Sequence, residues 1–313
     1  MPELSPEELD AKIRLRAFKY LDEQRLMFGG ELPFDGLREG FRIDGVRVPL
    51  VGPQGIFKPK AIPIAVPLSI TTAPIRPGKP RPYEDEVGPD NLLRYRYRGK
   101  DPDHHENAGL RLAMQLRIPL IYFEGIDTGW YSATYPVYVI HDDPRNLRVT
   151  VAADQEVSFG SPVDHVAEPM TVGRRAYATQ LARRRIHQDK FRHFVLKAYR
   201  EACAVCALRR RELLEAAHII PDREERGVPE VFNGMALCKL HHGAFDSHIV
   251  GVRPDNLVVE VREDVRRQAD GPMLVHGLQR CHGQPLIIVP SRAELQPRKD
   301  LLEEPYERFR RAG

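Results

Sequence analysis

The chain has 313 residues, a formal net charge of +3 and 42% hydrophobic residues. That length accommodates two domains with cores of their own, and so small a net charge diagnoses no class of partner. With no basic-then-apolar leader and no apolar run of about 18 residues, neither a signal peptide nor a membrane span is expected. Three of the four cysteines fall in a metal pattern, which points to a reducing cytoplasm rather than a disulfide scaffold.

Ser5, Pro6 and Glu8 spell a capping box with proline at the first helical position. Leu9, Ile13, Ala17, Tyr20 and Leu21 come next at helical spacing, and Gly29-Gly30 ends the pattern. This is read as a packing helix. Residues 31–150 hold short β-like runs (FRIDGVRVPL, AIPIAVPLSI, NLLRYRYRG, IPLIYFEGI, TYPVYVI) between turn residues, with one helical stretch, NAGLRLAMQL. Together they predict an α+β module of mixed or barrel-like sheet.

Within that module, Tyr83, Asp85, Glu86, Tyr95 and Tyr97 are interleaved with Arg94, Arg96 and Arg98. Tyrosines offer stacking faces, carboxylates accept from a base amino edge, and arginines meet phosphate. Strand alternation puts Tyr95 and Tyr97 on one side and the arginines on the other. A base-reading wall and an ordinary half-buried strand with core tyrosines both fit that pattern. The order Tyr-Glu-Asp, a glycine turn, an aromatic strand ending in Tyr-x-Gly, an Asn-x-x-Leu helix and then IPLIYFEG resembles the SRA (SET and RING associated) domain, over about residues 30–150. The resemblance implies a PUA-like sheet that flips a modified cytosine, such as 5-methylcytosine, into a pocket. Tyr83 and Tyr97 would stack on the base, Asp85 or Glu86 would bind its Watson–Crick edge, and Arg98 would meet the backbone. Where SRA domains usually continue with Thr-Gly and a further glycine pair, this chain has Arg98-Gly99-Lys100-Asp101, so the modified base stays unassigned.

Glu168 to Gly173 reads as a linker. From Arg174 to Arg200 there are nine Lys or Arg against one acid, Asp189. Such a bias suits a phosphate-contacting face, with Arg183, Arg184 and Arg185 at its centre; a solvated basic face is the plainer alternative. Phe191, Phe194, Val195, Leu196 and Tyr199 supply an apolar face, predicting a helix packed on the C-terminal part of the chain.

Cys203-x-x-Cys206 pairs with Cys238-x-x-His241, two short-spaced pairs of the kind that close a structural Zn²⁺ tetrahedron. His218, Asn233, His242 and Asp246 remain as a second polar set. LLEAAHIIP predicts a strand presenting His218 at its end, Asn233-Gly234 a turn, and ALCKLHHGAFDSH a helix. On that helix Cys238 and His241 share one face, and His242 and Asp246 another. The order AHIIP, Asn-Gly, LC-x-x-HH-x-x-FD resembles the HNH or ββα-metal nuclease motif, in the zinc-stabilised form of modification-dependent restriction endonucleases, over about residues 180–260. By that resemblance His218 is the general base, His242 and Asp246 hold Mg²⁺ or Mn²⁺, and Asn233 fixes the turn or orients the base. Many such nucleases carry Asp or His just before the base. Here the residue is Ala217, so metal binding leans on His242 and Asp246, with Glu215 or Asp222 as a further carboxylate. His187 and His248 are read as structural, and Cys281-His282 as an unpaired thiol beside a surface histidine.

The expected architecture is therefore α+β: an SRA-like reader of modified DNA (residues 1–165), a basic linker (166–185) and a zinc-stabilised HNH endonuclease (186–313). Its partner would be double-stranded DNA. A double-strand cut needs two centres or two successive nicks, which favours a homodimer. A nuclease indifferent to base modification, and a non-cleaving DNA-binding protein, are the alternatives.

Overall fold

The computed structural model describes residues 4–74, 86–88, 92–153 and 172–312. The chain divides into two units, Met1–Asp189 and Lys190–Gly313.

The first unit opens with helix α1 (Pro6–Phe28), started by the expected capping box. The Glu8 amide donates to Ser5 Oγ (3.2 Å) and the Ser5 amide to Glu8 Oε2 (2.8 Å). Gly29 closes the helix at φ 73°, a left-handed value that glycine adopts without steric cost. Ile13, Ala17 and Leu21 face inward. Arg14 is also buried, bonding Asp10 and the carbonyls of Val66, Pro67 and Pro119. That guanidinium ties the helix to loops more than fifty residues away, satisfying groups that would be costly to bury unpaired.

Strand β1 (Glu31–Pro33), helix α2 (Phe34–Glu39) and the hairpin β2 (Phe41–Ile43) and β3 (Val46–Val48) come next. Then come β4 (Ile56–Phe57), β5 (Ser69–Thr72), β6 (Glu86–Val87), β7 (Leu93–Arg96), helix α3 (His105–Leu116), β8 (Leu120–Asp127), β9 (Trp130–Asp143) and β10 (Arg148–Ala153). One sheet runs β4-β5-β8-β9-β10-β7-β6, with β1 also paired to β9. Among the described residues only β5 and β8 pair in parallel. Among the described residues the sheet is a curled half-barrel and not a closed barrel, because its end strands, β4 and β6, do not pair with each other. Leu120 and Tyr122 enter one core cluster, Ile121 and Phe123 the other. Burial on both faces is why IPLIYFEG reads as a continuous apolar run rather than an alternating one.

Helix α4 (Val172–Ala198) takes up much of the stretch expected to be a basic linker. Ala178 and Ile186 are buried in a core cluster of the first unit. Beyond Asp189, Phe191, Val195, Leu196 and Tyr199 enter the core of the second unit, as the apolar pattern predicts, whereas Phe194 is 40% exposed.

The second unit continues with β11 (Leu214–His218), β12 (Gly234–Cys238), helix α5 (Lys239–Asp246), the pair β13 (Val250–Val252) and β14 (Val259–Val261), then helices α6 (Glu263–Arg267), α7 (Pro272–Gly277) and α8 (Lys299–Arg311). The polar C-terminal segment is not a loose tail. Helix α8 buries Leu301, Leu302 and Phe309, and Gly251 on β13 leaves no room for a side chain beneath the Phe309 ring.

Candidate functional site

β11, β12 and α5 form a ββα unit. The strands are antiparallel, in a register that sets Leu214 opposite Cys238 and His218 opposite Gly234. Gly234 is not in a positive-φ turn: it is extended, at φ −140° and ψ 152°. Its glycine has a different cause, since a Cβ there would stand 2.7 Å from Phe191 Cζ and from Val195 Cγ2. The Asn233-Gly234 pair thus lets α4 lie close against the start of β12. Asn233 is fully buried. Its Oδ1 accepts from the Ile220 amide (2.9 Å), and its Nδ2 donates to the carbonyls of Ile220 (3.0 Å) and Val228 (2.9 Å). Of the two roles expected for Asn233, this bonding is that of a residue fixing the loop behind His218.

The His218 ring stacks on Phe191, with centroids 3.9 Å apart and planes 15° from parallel. Burial lowers its pKa below the ordinary histidine value, against the pull of Asp222 and Asp246, while the neighbouring His242 lowers it further. Nε2 is buried without a hydrogen-bond partner among the described residues. Ala217, next to it, is a core residue opposite Met235.

His242 sits between two carboxylates, with Nδ1 2.6 Å from Glu215 Oε2 and Nε2 3.3 Å from Asp246 Oδ2. Two ligands in adjacent positions of an octahedron with bonds of about 2.1 Å stand about 3 Å apart. The Nε2–Asp246 spacing therefore fits a divalent ion of the Mg²⁺ or Mn²⁺ class, and an imidazole donor suits Mn²⁺ better than Mg²⁺. Glu215, left open with Asp222 as a further carboxylate, is the one that reaches His242.

On another face of α5, His241 is buried among three thiols, of which Cys203 and Cys238 are buried and Cys206 is exposed. His241 Nδ1 lies 3.1 Å from Cys238 Sγ and 3.5 Å from Cys203 Sγ, Cys206 and Cys238 sulfurs are 4.0 Å apart, and all four donor atoms fall within 4.8 Å of one another. With Zn–S bonds of about 2.3 Å and Zn–N of about 2.0 Å, a tetrahedron has edges of about 3.5–3.8 Å. The cluster therefore fits zinc in donor type and in size. The Gly277 carbonyl lies 2.8 Å from His241 Nε2 and so orients the ring. Cys281, read from sequence as an unpaired thiol, is a free cysteine 3.7 Å from that same nitrogen. His282 beside it is half-buried, and its Nδ1 accepts from the Val261 amide.

In the first unit, Tyr83 and Asp85 lie outside the described residues, and Glu86 is described only as a backbone partner of Arg94. A cleft of about 250 Å³ is lined by Gly55, Thr71, Tyr95, Tyr97, Arg98 and Glu106, among others. Tyr97 is 2% exposed. Alternation along β7 turns it into the core, so it contributes wall and not an open stacking face. Its hydroxyl donates to Asp142 and accepts from Arg111, and burial first, then Asp142, pushes the phenol up to about 12. Arg98 is paired with Glu106. Thr71 Oγ1 and Glu106 Oε2 are buried without hydrogen-bond partners among the described residues. Neither stands out in the sequence; Thr71 arrives on β5 with no motif, and Glu106 only as the residue before the Asn107 that opens the helical pattern. Arg184 and Arg185 are exposed on α4 and Arg183 is half-buried.

No helix of the described residues is long and apolar enough to cross a membrane. No curated protein matches the chain. A solved structure described as "Modification dependent TagI restriction endonuclease" is similar over 78% of this chain and 81% of its own, at 16% identity and a TM-score of 0.29. Residues 203–253 match the family model for HNH endonucleases. That match covers the ββα unit with both of its polar sets, and this segment of the chain is an HNH endonuclease domain.

Proposed function

We propose that the chain is a metal-dependent DNA endonuclease whose first unit reads modified cytosine and whose second hydrolyses the phosphodiester bond. The observation that carries the nuclease reading is the meeting of His218 with the His242–Asp246 pair at one end of a ββα unit matched to HNH endonucleases. His218 is the general base. Its lowered pKa keeps the ring neutral near neutral pH, and with Nε2 covered, Nδ1 is the nitrogen left to take a proton from water. Asn233 is a positioning residue that anchors the loop following the base. His242 and Asp246 are the residues to hold the divalent ion, which when bound supplies charge neutralisation at the scissile phosphate. Cys203, Cys206, Cys238 and His241 hold zinc as a structural ion. Arg183, Arg184 and Arg185 give α4 a charged face for the DNA backbone.

The cleft of the first unit supports a base-reading role through its chemistry. Thr71 and Glu106, each with a buried oxygen that lacks a hydrogen-bond partner among the described residues, line it beside two tyrosines and Arg98. Glu106 takes the place in this reading that Asp85 or Glu86 holds in the SRA resemblance. Cutting both strands takes two centres or two successive nicks, and a homodimer supplying two centres is the assembly proposed.

The test is cleavage of matched duplexes carrying cytosine, 5-methylcytosine or 5-hydroxymethylcytosine, with Mn²⁺ or Mg²⁺, by the wild type and His218→Ala. The expected result is cutting of modified DNA alone, slowed by about 10²–10⁴-fold in the variant. Equal cutting of all three duplexes removes the reader, and intact DNA under every condition removes the nuclease.

A further inference from the structure

We propose that Glu215 is a positioning residue. It holds His242 in the Nδ1–H tautomer, so that Nε2, beside Asp246, is the nitrogen offered to the divalent ion. The inference rests on the nuclease reading only in supposing that such an ion binds there.

Both edges of the His242 ring face a carboxylate, and the two distances differ in kind. Glu215 Oε2 stands 2.6 Å from Nδ1. Two lone pairs cannot approach so closely, so a proton lies between these atoms. A carboxylate oxygen accepts and an imidazole N–H donates, so the contact has the geometry of Nδ1–H donating to Glu215. The 2.6 Å contact is also shorter than the roughly 3 Å between adjacent ligands of one octahedral ion. Glu215 and Nδ1 are therefore hydrogen-bond partners and not a ligand pair. Asp246 Oδ2 stands 3.3 Å from Nε2. This contact is longer than a charge-assisted N–H···O⁻ bond of about 2.7–2.9 Å and nearer to the roughly 3 Å between two ligands that share an ion.

The placement of Glu215 along the chain gives the arrangement a reason. Residues two apart on a strand lie on the same side, so Glu215 occupies the same side of β11 as Ala217, one repeat earlier. Position 217 faces Met235 and is fully buried, which leaves no room for an ionised group. Glu215 faces Leu237 and, at 41% side-chain exposure, stays in water while reaching His242. The acid missing before the base is thus present two residues upstream, where it acts through His242. An imidazole that donates its second N–H to a carboxylate is fixed in orientation and made a stronger ligand.

The experiment is Mn²⁺ titration of the full-length, zinc-loaded chain without DNA, by calorimetry, on wild type, Glu215→Gln and Glu215→Ala. It is paired with ¹⁵N NMR of the His242 ring in the Mn²⁺-free protein. A glutamine carbonyl still accepts from Nδ1–H, so Glu215→Gln retains most of the affinity. Glu215→Ala weakens Mn²⁺ binding by about 10–100-fold, and its His242 spectrum moves from the Nδ1–H form to a mixture of tautomers. Equal loss in both variants would make Glu215 a ligand, and unchanged affinity in both would make it inert; either overturns the proposal. In a His242→Ala background, Glu215→Ala should cost nothing further, whereas a full additional loss again contradicts it. The two readings fail separately: Mn²⁺ binding with this Glu215 dependence on a chain that cuts no DNA discards the nuclease, and DNA cleavage with no Glu215 effect on affinity or tautomer discards only the positioning role.

Discussion

Asn107 in the first unit and Asn233 in the second do the same work in two unrelated settings. Each is fully buried. Each takes a backbone amide on Oδ1, at 2.9 Å, from Arg98 and Ile220 respectively. Each returns Nδ2 to that residue's own carbonyl, at 3.1 and 3.0 Å, and to a second carbonyl, Asp101 at 2.8 Å or Val228 at 2.9 Å. Asparagine alone carries an acceptor and two donors on so short a stem. What differs is the loop that is held. Asn233 fixes the segment leaving His218, and Asn107 fixes the one leaving Tyr97 beside the cleft. In the proposed function, one staple serves the site of chemistry and the other the site of recognition.

The largest expected effect comes from what supports each unit. The first unit rests on two apolar clusters packed on either face of β8. In the second, Cys203 and Cys206 after α4, Cys238 at the end of β12 and His241 in α5 come together as the proposed zinc site. Structural zinc contributes about 10–16 kcal/mol in small domains, as much as the whole stability of a typical fold at about 5–15 kcal/mol. Removing zinc with a chelator, or substituting Cys203→Ser, should therefore unfold the second unit and spare the first. Hydrogen exchange on the full chain reads both at once: β11, β12 and α5 should lose protection while β8, β9 and β10 keep it. Protection that persists in β11 and β12 after zinc is gone would mean that the apolar core there suffices.

The same asymmetry governs what is legible in the sequence. The ββα segment of the second unit is legible because Cys203, Cys206, Cys238 and His241 come within a few dozen residues at metal-ligand spacings; what the pattern misses is that Cys238 ends β12 and the helix starts only at Lys239. Helix α1 is legible from its cap. In the first unit the aromatic strand is visible, but its meaning is not, because Tyr95 and Tyr97 satisfy a core strand and a cleft wall equally well. Thr71, Gly55 and Glu106 meet at the cleft from three separate segments, and no local pattern connects them. Glu215 is visible as a carboxylate, yet its partner depends on which turn of α5 faces β11. Gly234 reads as a turn glycine, whereas its cause is the closeness of Phe191 and Val195, a packing fact that sequence does not contain.

A smaller effect tests the staples themselves. Replacing either asparagine by aspartate keeps the acceptor and removes both donors, so two carbonyls lose their partner: buried Ile220 and part-buried Val228 for Asn233, and part-buried Arg98 and Asp101 for Asn107; a buried one costs about 1–3 kcal/mol, the others less. Asn233→Asp should lower the thermal stability of the second unit and slow cleavage of every duplex, because the loop behind His218 loosens. Asn107→Asp should destabilise the first unit and weaken discrimination between modified and unmodified DNA, with the rate of cutting at saturating DNA preserved. Identical effects of the two variants on rate and on discrimination would dissolve the distinction between a staple for chemistry and a staple for recognition.

The smallest effect concerns the base. Burial holds the His218 pKa below the ordinary histidine value of about 6.5. A general base works in its neutral form, so cleavage should fall only as pH drops through that lowered value and should already be level near neutrality. Phe191 supplies part of the burial through its stacked ring. Phe191→Leu lets water reach the imidazole and leaves Asp222 and Asp246 to favour its charged form. The pKa then rises, and the acidic limb of the rate profile moves to higher pH by less than about one unit, with the plateau rate little changed. A limb that stays in place while the plateau falls would assign Phe191 to orientation of the ring and leave its proton affinity to the rest of the pocket.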